Sequence, residues 1–343
     1  MLIEAAELRD PARQLLAGAG KDPWPAMVEA GWTALNASEA LGGLEQPLAA
    51  ACWLYEEIGY ALSAAPLLPS LLAVDVLQAC PQGAARDRWI EKAVAGEAVA
   101  VALLDPAAAK GELSNGKLTA RVLGVQGAGK AEHLLLVLAE PALVAMVPLK
   151  QAGVVVEPRP LWDRTRDLAE VVFEGAALDD GVILARDDAA KPAAGAASVH
   201  LHFAIAADCV GAADALLEQT VAYLQTRRQF DRPLAMFQAL KHRCADLKAL
   251  TSGASALLAD RLKALEAGGH DPVTLARMTK ALASSTFRAV AEDSVQLHGG
   301  IGMTAEHPCH HYLKRALLNE HLASPDDACD LAVAATALGA LGG

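Results

Sequence analysis

The sequence has 343 residues, of which 53% are hydrophobic and 4% are aromatic, and its formal net charge is -12. This length is sufficient for two or three domains, and a composition so poor in aromatic residues favours packed helices over an aromatic-rich β-sandwich. The acidic balance argues against a nucleic-acid partner, because such binding depends on Lys and Arg that neutralise phosphates.

The first 97 residues are predicted to form an N-terminal α-helical domain, 1–97. Apolar residues recur three and four positions apart over 25–35 and again over 47–62, which is the spacing of one face of an amphipathic helix. Gly42 and Gly43 separate the two segments, and glycine pairs of this kind typically interrupt helices. We therefore expect short helices in this part of the chain.

From about residue 98 the pattern changes to short apolar and β-branched runs, which predicts a middle β domain, 98–188. Turn-forming residues such as Asn115 and Gly116 lie between the runs. The predicted strands cover residues 117–125, 133–138, 142–148, 153–157 and 169–173.

Residues 189–343 are predicted to form a C-terminal helical bundle, after a connector at 187–196 that is rich in Ala, Asp and Pro. One helix is predicted to begin at Asp271, an N-cap residue followed by proline, and to end at Gly299 and Gly300. Two apolar stripes indicate further helices. They consist of Val210, Ala213, Leu217, Val221 and Leu224, and of Leu257, Leu258, Leu262 and Leu265.

A glycine-rich segment, 124–130, has the spacing of a phosphate-binding loop. Ala131 stands where that motif carries the Ser or Thr that holds magnesium, and the following residues do not indicate a helix. We interpret the segment as a turn between two β segments.

The cysteines and the N-terminal residues indicate in which cellular compartment the protein is expected. Six cysteines are scattered without a CxxC pair, so neither a zinc site nor a disulfide framework is predicted. The first 16 residues are acidic where a signal peptide would be basic, and no continuous apolar run reaches the roughly 18 residues that span a bilayer. We expect a cytoplasmic protein with reduced thiols, no metal and no membrane contact.

Two segments carry polar and aromatic residues at a distinctive spacing. The sequence YLQTRRQFDRPLAMFQALKHRCADL, 223–247, resembles the acyl-CoA dehydrogenase signature, in which an Arg, a Gln or Thr, a Phe, a Pro and a Gln recur. The sequence VQLHGGIGMTAEHPCHHYLKRAL, 295–317, resembles the second signature of the same family. Residues 24–43 and the run DLAEVVFEGAAL are also similar to the family, so the resemblance extends over essentially the whole chain.

The resemblance implies an α+β, mainly α, acyl-CoA dehydrogenase-like fold, with an N-terminal helical domain, a middle β-barrel domain and a C-terminal four-helix bundle that forms the oligomer core. It also implies FAD as the cofactor, held mainly by the neighbouring subunit. The residues that it places at this FAD are Arg227, Gln229, Phe230, Gln238, Gln296, Gly299 and Gly300.

The chemistry of these residue types agrees with that role. A guanidinium such as that of Arg227 holds a diphosphate through two parallel hydrogen bonds, which lysine cannot reproduce. Gly299 and Gly300 lack side chains and let the backbone approach an anion closely. Without the resemblance, the preferred interpretation would be a solvated helix end for Arg227 and a helix C-cap for the two glycines.

The reaction of the family needs a carboxylate that removes the α-proton of an acyl thioester while the flavin accepts a hydride. Counting along the second signature places Ala323 at the usual position of that Glu, and the alternative position in the family is Leu201. Neither residue can take a proton. The nearest carboxylates, Glu320 and Asp208, are better explained as surface or structural groups.

The loops that cradle the flavin ring in the family also differ. In place of a Thr-Glu-Pro-Gly-x-Gly-Ser loop and a Trp-x-x-Asn-Gly turn, the chain has LDPAAA at 104–109 and LGVQG at 123–127. Most hydrogen-bonding side chains of those loops are missing. The elements that a subunit supplies to its own flavin are thus degraded, whereas those that it lends to a neighbour are retained.

This asymmetry predicts a heteromer. Short bacterial family members that act on steroid side chains form two-plus-two tetramers, in which one subunit type contributes the base and most of the flavin pocket. By this resemblance, the chain is the supporting subunit of an acyl-CoA dehydrogenase. The implied partners are an acyl-CoA substrate, a homologous acyl-CoA dehydrogenase subunit and an electron-transfer flavoprotein.

Two other functions remain open at this point. One is a self-sufficient homo-oligomeric dehydrogenase whose base has moved to a residue such as Glu320. The other is a non-catalytic scaffold with the same fold, which would have no need of Arg227 or Gly300. His202 stands where the family often has a basic residue near the substrate, and it is therefore a candidate for substrate contact.

Overall fold

The computed structural model describes residues 3–18, 22–104 and 111–341. Short helices come first, strands follow and long helices come last, which confirms the predicted order. The helices are α1 (Ala5–Gly18), α2 (Trp24–Glu29), α3 (Leu48–Tyr60), α4 (Leu67–Gln78), α5 (Ala84–Val94), α6 (Lys191–Thr226), α7 (Gln238–Ala267), α8 (Pro272–His298), α9 (Cys309–Asn319) and α10 (Asp326–Leu341).

The strands lie between α5 and α6, apart from a two-strand hairpin after α6. They are β1 (Val99–Leu104), β2 (Gly111–Ser114), β3 (Lys117–Gln126), β4 (His133–Leu138), β5 (Leu143–Pro148), β6 (Val154–Pro158), β7 (Leu168–Ala177), β8 (Ile183–Arg186), β9 (Arg228–Gln229) and β10 (Arg232–Pro233). The proposed domain limits, 97/98 and 188/189, stay predictions.

Strands β1 to β8 form two sheets of four strands each. In the first sheet, with the order β1-β4-β5-β8, β1 is parallel to β4 and the other pairs are antiparallel. The second sheet, with the order β2-β3-β7-β6, is antiparallel throughout. Leu134 and Leu136 of β4 belong to the core between the sheets, whereas Leu135 and Val137 belong to the core that includes the helices. Burial on both faces explains the uninterrupted apolar sequence of β4.

Residues 127–130 form a turn between β3 and β4, whereas residues 124–126, which were interpreted as part of the turn, are the last residues of β3. The backbone N–H groups of Lys130 and Ala131 both donate to the carbonyl of Gly127. The chain then enters β4 instead of a helix, so the segment lacks the strand-to-helix context that a phosphate-binding loop requires.

Helix α6 begins earlier than predicted. The segment 187–196 was expected to be a connector, but α6 starts at Lys191. Proline at position 192 is compatible with the first turn of a helix, where its missing N–H has no intrahelical partner to lose. The alanines that follow have the highest helix propensity, so the composition that resembled a linker is that of a helix start.

Helix α6 also corrects the expectation that no segment is long and apolar enough to cross a membrane. The stretch 187–226 meets that criterion by length and composition, because it contains an 18-residue segment with a mean hydropathy of 1.3. However, 67% of this segment is buried inside the protein. The apolar sequence is therefore explained by packing, because α6 lies against α3, α4, α7 and α8.

Helices α6, α7, α8 and α10 form the C-terminal bundle. The caps predicted for α8 are present, since the Asp271 carboxylate accepts a hydrogen bond from the backbone N–H of Thr274 at 2.9 Å. Gly299 ends the helix with a φ of 67°, a conformation that favours glycine.

Helices α3 and α6 cross at two glycines. A Cβ added to Gly59 would collide with the carbonyl of Asp208, and one added to Gly211 would collide with the carbonyl of Glu56. Each glycine thus allows the backbone of the other helix to approach it directly. The backbone of Asp208 lies at this crossing, and the residue is buried.

Helix α1 is tied to α3 by two ion pairs, Arg9 with Glu56 and Arg13 with Glu57. Glu56 is buried, with 8% of its surface exposed. Burial raises the pKa of Glu56 to about 7, although the charge of Arg9 opposes the shift.

We expect this carboxyl to make the stability of the protein depend on pH. Its folded-state pKa is above the unfolded value, so its contribution is fully present below about pH 4.5 and is lost as the pH rises through about 7. The loss is at most about 3.5 kcal/mol, because one pKa unit corresponds to about 1.4 kcal/mol. The Glu56→Gln variant should lack it. Urea unfolding of both proteins at several pH values between 5 and 8 tests this, and parallel curves would contradict it.

Candidate functional site

Helix α6 ends in a tight hairpin that carries three of the predicted cofactor residues. Arg227 is the C-cap residue of α6, and β9 pairs antiparallel with β10. Phe230 and Asp231 form the turn, with φ of 53° and 62°. Positive φ at both central residues is the geometry of a type I′ hairpin, which usually contains glycine. The turn presents the Phe230 side chain outward, where 86% of its surface is exposed.

Three helix ends meet beside this hairpin. The ring of Tyr223, one turn before Arg227, stacks on that of His298 with centroids 4.6 Å apart, and its hydroxyl donates to the carbonyl of His298 at 3.3 Å. Arg243 in the first turns of α7 forms an ion pair with Asp293 in the last turns of α8. The hairpin, the start of α7 and the end of α8 therefore lie at the same end of the bundle.

The structure brings the predicted cofactor residues together on this end. Gln238 is the first residue of α7, and Gln296 lies in the last turn of α8. All seven predicted residues are exposed: Arg227, Gln229, Phe230, Gln238, Gln296, Gly299 and Gly300. We call this set the bundle-end surface.

The bundle-end surface fits an anionic group such as a diphosphate. A Cβ added to Gly299 or Gly300 would meet no atom of the described residues within 4 Å, so the backbone is open to a ligand there. Within the same described part of the chain, the guanidinium of Arg227 has no hydrogen-bond or ion-pair partner. A free guanidinium and accessible backbone on the same end of the bundle are a suitable combination of donors for phosphate oxygens.

Asp208 is a buried structural carboxylate. Arg315 donates to it from Nε at 3.0 Å and from a terminal nitrogen, Arg166 lies 3.0 Å from its Oδ1, and Asn319 donates at 2.8 Å. Burial alone would raise the pKa of Asp208. The charges of Arg166 and Arg315 and the hydrogen bonds from Arg315 and Asn319 outweigh burial and lower that pKa to about 2.

The two arginines do not share this carboxylate equally. Burial lowers the pKa of Arg166. At Arg315 burial also acts to lower the pKa, but the charge of Asp208, the hydrogen bonds to it and the charge of Asp163 together outweigh burial, so that this pKa is raised. Arg315 is therefore the stronger partner. A carboxylate that is enclosed and paired in this way is not available to remove a proton from a substrate.

Glu320, the other carboxylate considered as a base, lies near the surface and is paired. Both of its oxygens accept from one terminal nitrogen of Arg288, at 3.1 and 3.2 Å, and 15% of its side chain is exposed. Arg288 also binds Glu292 at 2.8 Å. Glu320 thus belongs to a partly exposed ion-pair group.

The two positions at which the family carries its base hold no acidic side chain. Leu201 lies on α6 and packs at the border of the core. Ala323 lies in the turn between α9 and α10, with a φ of 67°. The neighbouring side chain of Leu322 lies 3.6 Å from the place where a Cβ on Gly124 would be. The turn after α9 therefore lies beside the segment 123–127, which stands in place of the family's flavin turn.

The fully buried ammonium of Lys280 holds the turn that contains Ala323. Ser284, one helical turn along α8, donates to the same carboxylate of Asp326 as Lys280 does. Lys280 Nζ donates to the carbonyls of Glu320 at 2.8 Å and Ser324 at 2.6 Å, and to the carboxylate of Asp326 at 2.5 Å. These contacts determine the conformation of the turn without any carboxylate at position 323.

His202 is buried, with 1% of its surface exposed, and its Nδ1 lies 2.7 Å from the carbonyl of Ser198 in the preceding turn of α6. This position gives no support to a direct contact with substrate. The other counterpart of a flavin loop, 105–109, lies outside the described residues.

Metal ligation has no counterpart in the described parts of the chain. Across residues 3–18, 22–104 and 111–341, no group of three or more His, Cys, Asp or Glu side chains is arranged to hold a metal ion. All six cysteines are unpaired, and Cys244 alone among them is not fully buried.

Comparisons with known proteins agree with the fold described above. The family models for the acyl-CoA dehydrogenase N-terminal and C-terminal domains match residues 5–97 and 197–328. Acyl-CoA dehydrogenase IpdE2 of Mycolicibacterium smegmatis is 31% identical over 309 residues, which are 89% of this chain and 85% of that protein.

Solved structures show the same fold. The ChsE4-ChsE5 complex from Mycobacterium tuberculosis contains a chain with a TM-score of 0.84 and 22% identity, covering 97% of this chain and 96% of that one. The Tcur3481-Tcur3483 steroid ACAD contains one with a TM-score of 0.83 and 22% identity, covering 99% of each chain.

Proposed function

The chain belongs to the acyl-CoA dehydrogenase family, and from this premise we propose that it is the supporting subunit of an FAD-dependent enzyme with two kinds of subunit. A homologous partner contributes the catalytic base and most of the flavin pocket. One observation carries the proposal. The bundle-end surface is assembled and exposed, whereas the two base positions are Leu201 and Ala323, and the carboxylates nearest to them in the sequence are already paired.

In this proposal the residues of this chain hold the partner's cofactor. FAD, when bound, accepts a hydride from the β-carbon of the acyl-CoA thioester. Arg227 donates to its phosphates, and Gly299 and Gly300 allow the backbone N–H groups to approach them. Gln238 and Gln296 supply amide donors and acceptors to the adenosine and diphosphate portions. Removal of the α-proton is left to the partner.

The substrate class and the assembly are inferred from the relatives. One structural neighbour is described as a steroid ACAD and another as a complex of two proteins, ChsE4 and ChsE5. We infer that this chain takes part in oxidising a steroid-derived acyl-CoA as half of an α2β2 tetramer. An electron-transfer flavoprotein in the cytoplasm is the proposed electron acceptor.

The proposal is tested by purifying the chain alone and after co-expression with an adjacent homologous subunit. We expect flavin absorption at about 450 nm, and a tetramer by light scattering, only after co-expression. A yellow and active protein from this chain alone would refute the two-subunit assignment. A colourless protein in every combination would favour a scaffold.

The homo-oligomeric alternative is tested by Glu320→Gln. We expect activity of the co-purified complex to change less than about twofold, because general-base catalysis is worth about 100-fold or more and Glu320 does not supply it. The change in the free energy of unfolding should stay below about 1 kcal/mol, since the pair with Arg288 is partly exposed. Glu292→Gln removes the other carboxylate of Arg288 and is the matched control. A 100-fold loss in Glu320→Gln alone would identify a relocated base.

A further inference from the structure

Three aromatic rings pack against one another beside the bundle-end surface. The centroid of the His298 ring lies 4.6 Å from that of Tyr223 and 4.2 Å from that of His307. The rings of Tyr223 and His307 are 6.2 Å apart. We call these three residues the ring cluster. They lie at the end of α6, at the end of α8 and just before α9, so the cluster joins three parts of the chain.

The ring cluster is adjacent to the residues proposed to hold the cofactor. Tyr223 lies one helical turn before Arg227, and its hydroxyl donates to the carbonyl of His298 at 3.3 Å. His298 directly precedes Gly299 and Gly300. The cluster thus ties the helix that carries the free guanidinium to the helix whose end carries the open backbone.

The environment of His298 favours a neutral imidazole. The residue is 3% exposed, and its Nδ1 lies 2.7 Å from the carbonyl of Ser294, so Nδ1 carries the proton. Its Nε2 is buried and has no hydrogen-bond partner among the described residues. A proton added to Nε2 would leave a buried N–H and a positive charge without an acceptor, which is unfavourable.

The environment of His307 also favours a neutral imidazole. Its Nδ1 accepts a hydrogen bond at 3.2 Å from the backbone N–H of Cys309, the first residue of α9. A proton on Nδ1 would remove this acceptor from the helix start, where the helix dipole also disfavours a positive charge. The ion pair at this end of the bundle gives no compensation, because Arg243 and Asp293 bind each other.

The pKa values follow from these surroundings. Burial lowers the pKa of His298 below its ordinary value of 6.5, and the hydrogen bond to Ser294 only opposes the shift. Burial and the charges of His298 and His310 lower the pKa of His307. Tyr223 faces both rings from α6, and no carboxylate of the described residues contributes to either pKa. The stabilisation by the neutral rings is therefore complete above about pH 6.5 and is lost as the pH falls through the lowered pKa values.

We propose that the ring cluster positions Arg227 relative to the backbone of Gly299 and Gly300 only while both imidazoles are neutral, so that mild acid releases the cofactor from the bundle-end surface. This inference rests on the proposed function and adds a regulation by pH to it. The members of the cluster are positioning residues, because they act on the cofactor through Arg227 and the two glycines.

The experiment compares the co-purified complex of the wild-type chain with that of the double variant His298→Asn/His307→Asn. An asparagine amide can replace the Nδ1 contacts to Ser294 and Cys309, but it cannot be protonated. In wild type, the FAD affinity of the apo-complex should fall about tenfold from pH 7.5 to 5.5, since a proton that must leave before binding lowers affinity up to tenfold per pH unit below its pKa. In the double variant the change should be less than about twofold.

His270→Asn is the matched control, because His270 is exposed in the loop between α7 and α8. It should retain the wild-type pH dependence. Groups of the partner subunit that titrate act equally in all the complexes. Equal pH dependence in wild type and in the double variant overturns the proposal.

A second measurement needs no cofactor. NMR of the full chain with isotopically labelled histidine follows each imidazole, and the signals missing from the single Asn variants identify His298 and His307. Both should titrate below pH 6.5. Titration at or above this pH, in a chain whose complex binds FAD, would refute the role of the ring cluster but not the proposed function. Absence of FAD binding at both pH values would overturn the proposed function and, with it, the release of the cofactor by acid.

Discussion

Replacing Arg315 by methionine is expected to lower the free energy of unfolding by about 3–5 kcal/mol, because it leaves a buried charge without its main partner. The Arg315 guanidinium is completely buried and joins three parts of the chain. It pairs with Asp208 on α6, and it donates to the carbonyl of Ser63 at 3.2 Å and to the Thr165 hydroxyl at 3.1 Å. Methionine retains the apolar part of the side chain but none of these hydrogen bonds.

Urea unfolding of Arg315→Met should be compared with that of Arg288→Met. Arg288 is also ion-paired, but 47% of its side chain is exposed, so its replacement should cost at most about 1 kcal/mol. Combining Arg315→Met with Asp208→Asn should not recover the loss, because Arg166, whose side chain is 3% exposed, would then be left buried without its carboxylate. Equal losses for the two methionine variants would show that the buried pair is not the cause.

The same network predicts that the free energy of unfolding falls at low pH. The pKa of Asp208 is about 2, below its ordinary value of 3.8. A lowered folded-state pKa gives a stability contribution that is present above the unfolded pKa and is lost as the pH falls through the folded one. The difference in unfolding free energy between wild type and Asp208→Asn should therefore be constant from pH 7 to about 5 and shrink towards pH 2.

The elements that could be predicted from the sequence have local signals. Helix α8 was placed correctly because Asp271 caps its start and Gly299 ends it, and both features act within a few residues. Strand β4 was recognised from its apolar run. The bundle-end residues are predicted from two signatures, which lie on helix ends that the fold brings together; their role at the cofactor stays a prediction.

The features that sequence reasoning missed depend on contacts between distant residues. Arg315 and Asp208 are 107 positions apart, and no local pattern indicates that they form a buried pair. Lys280 has the sequence environment of an ordinary helical lysine, yet it is buried against the turn after α9.

Replacing Arg227 by alanine in the co-purified complex is expected to weaken FAD binding about 100-fold, which corresponds to the loss of one or two charge-assisted hydrogen bonds. Arg227→Lys should restore the charge but only part of the affinity, because an ammonium cannot form two parallel bonds to a phosphate. Titration of the apo-complex with FAD gives the affinity, and light scattering shows whether the tetramer is intact.

Arg228→Ala is the matched control for this prediction. The Arg228 guanidinium donates to the carbonyl of Asp231 at 2.6 Å and so stabilises the hairpin, whereas Arg227 has no such partner in the described part of the chain. If Arg227 binds the FAD of the partner subunit, Arg227→Ala must lower the FAD affinity of the assembled tetramer. Arg228→Ala must then have a much smaller effect. Equal effects would mean that the hairpin, and not the free guanidinium, determines binding. Unchanged affinity in Arg227→Ala would remove the bundle-end surface from the flavin site.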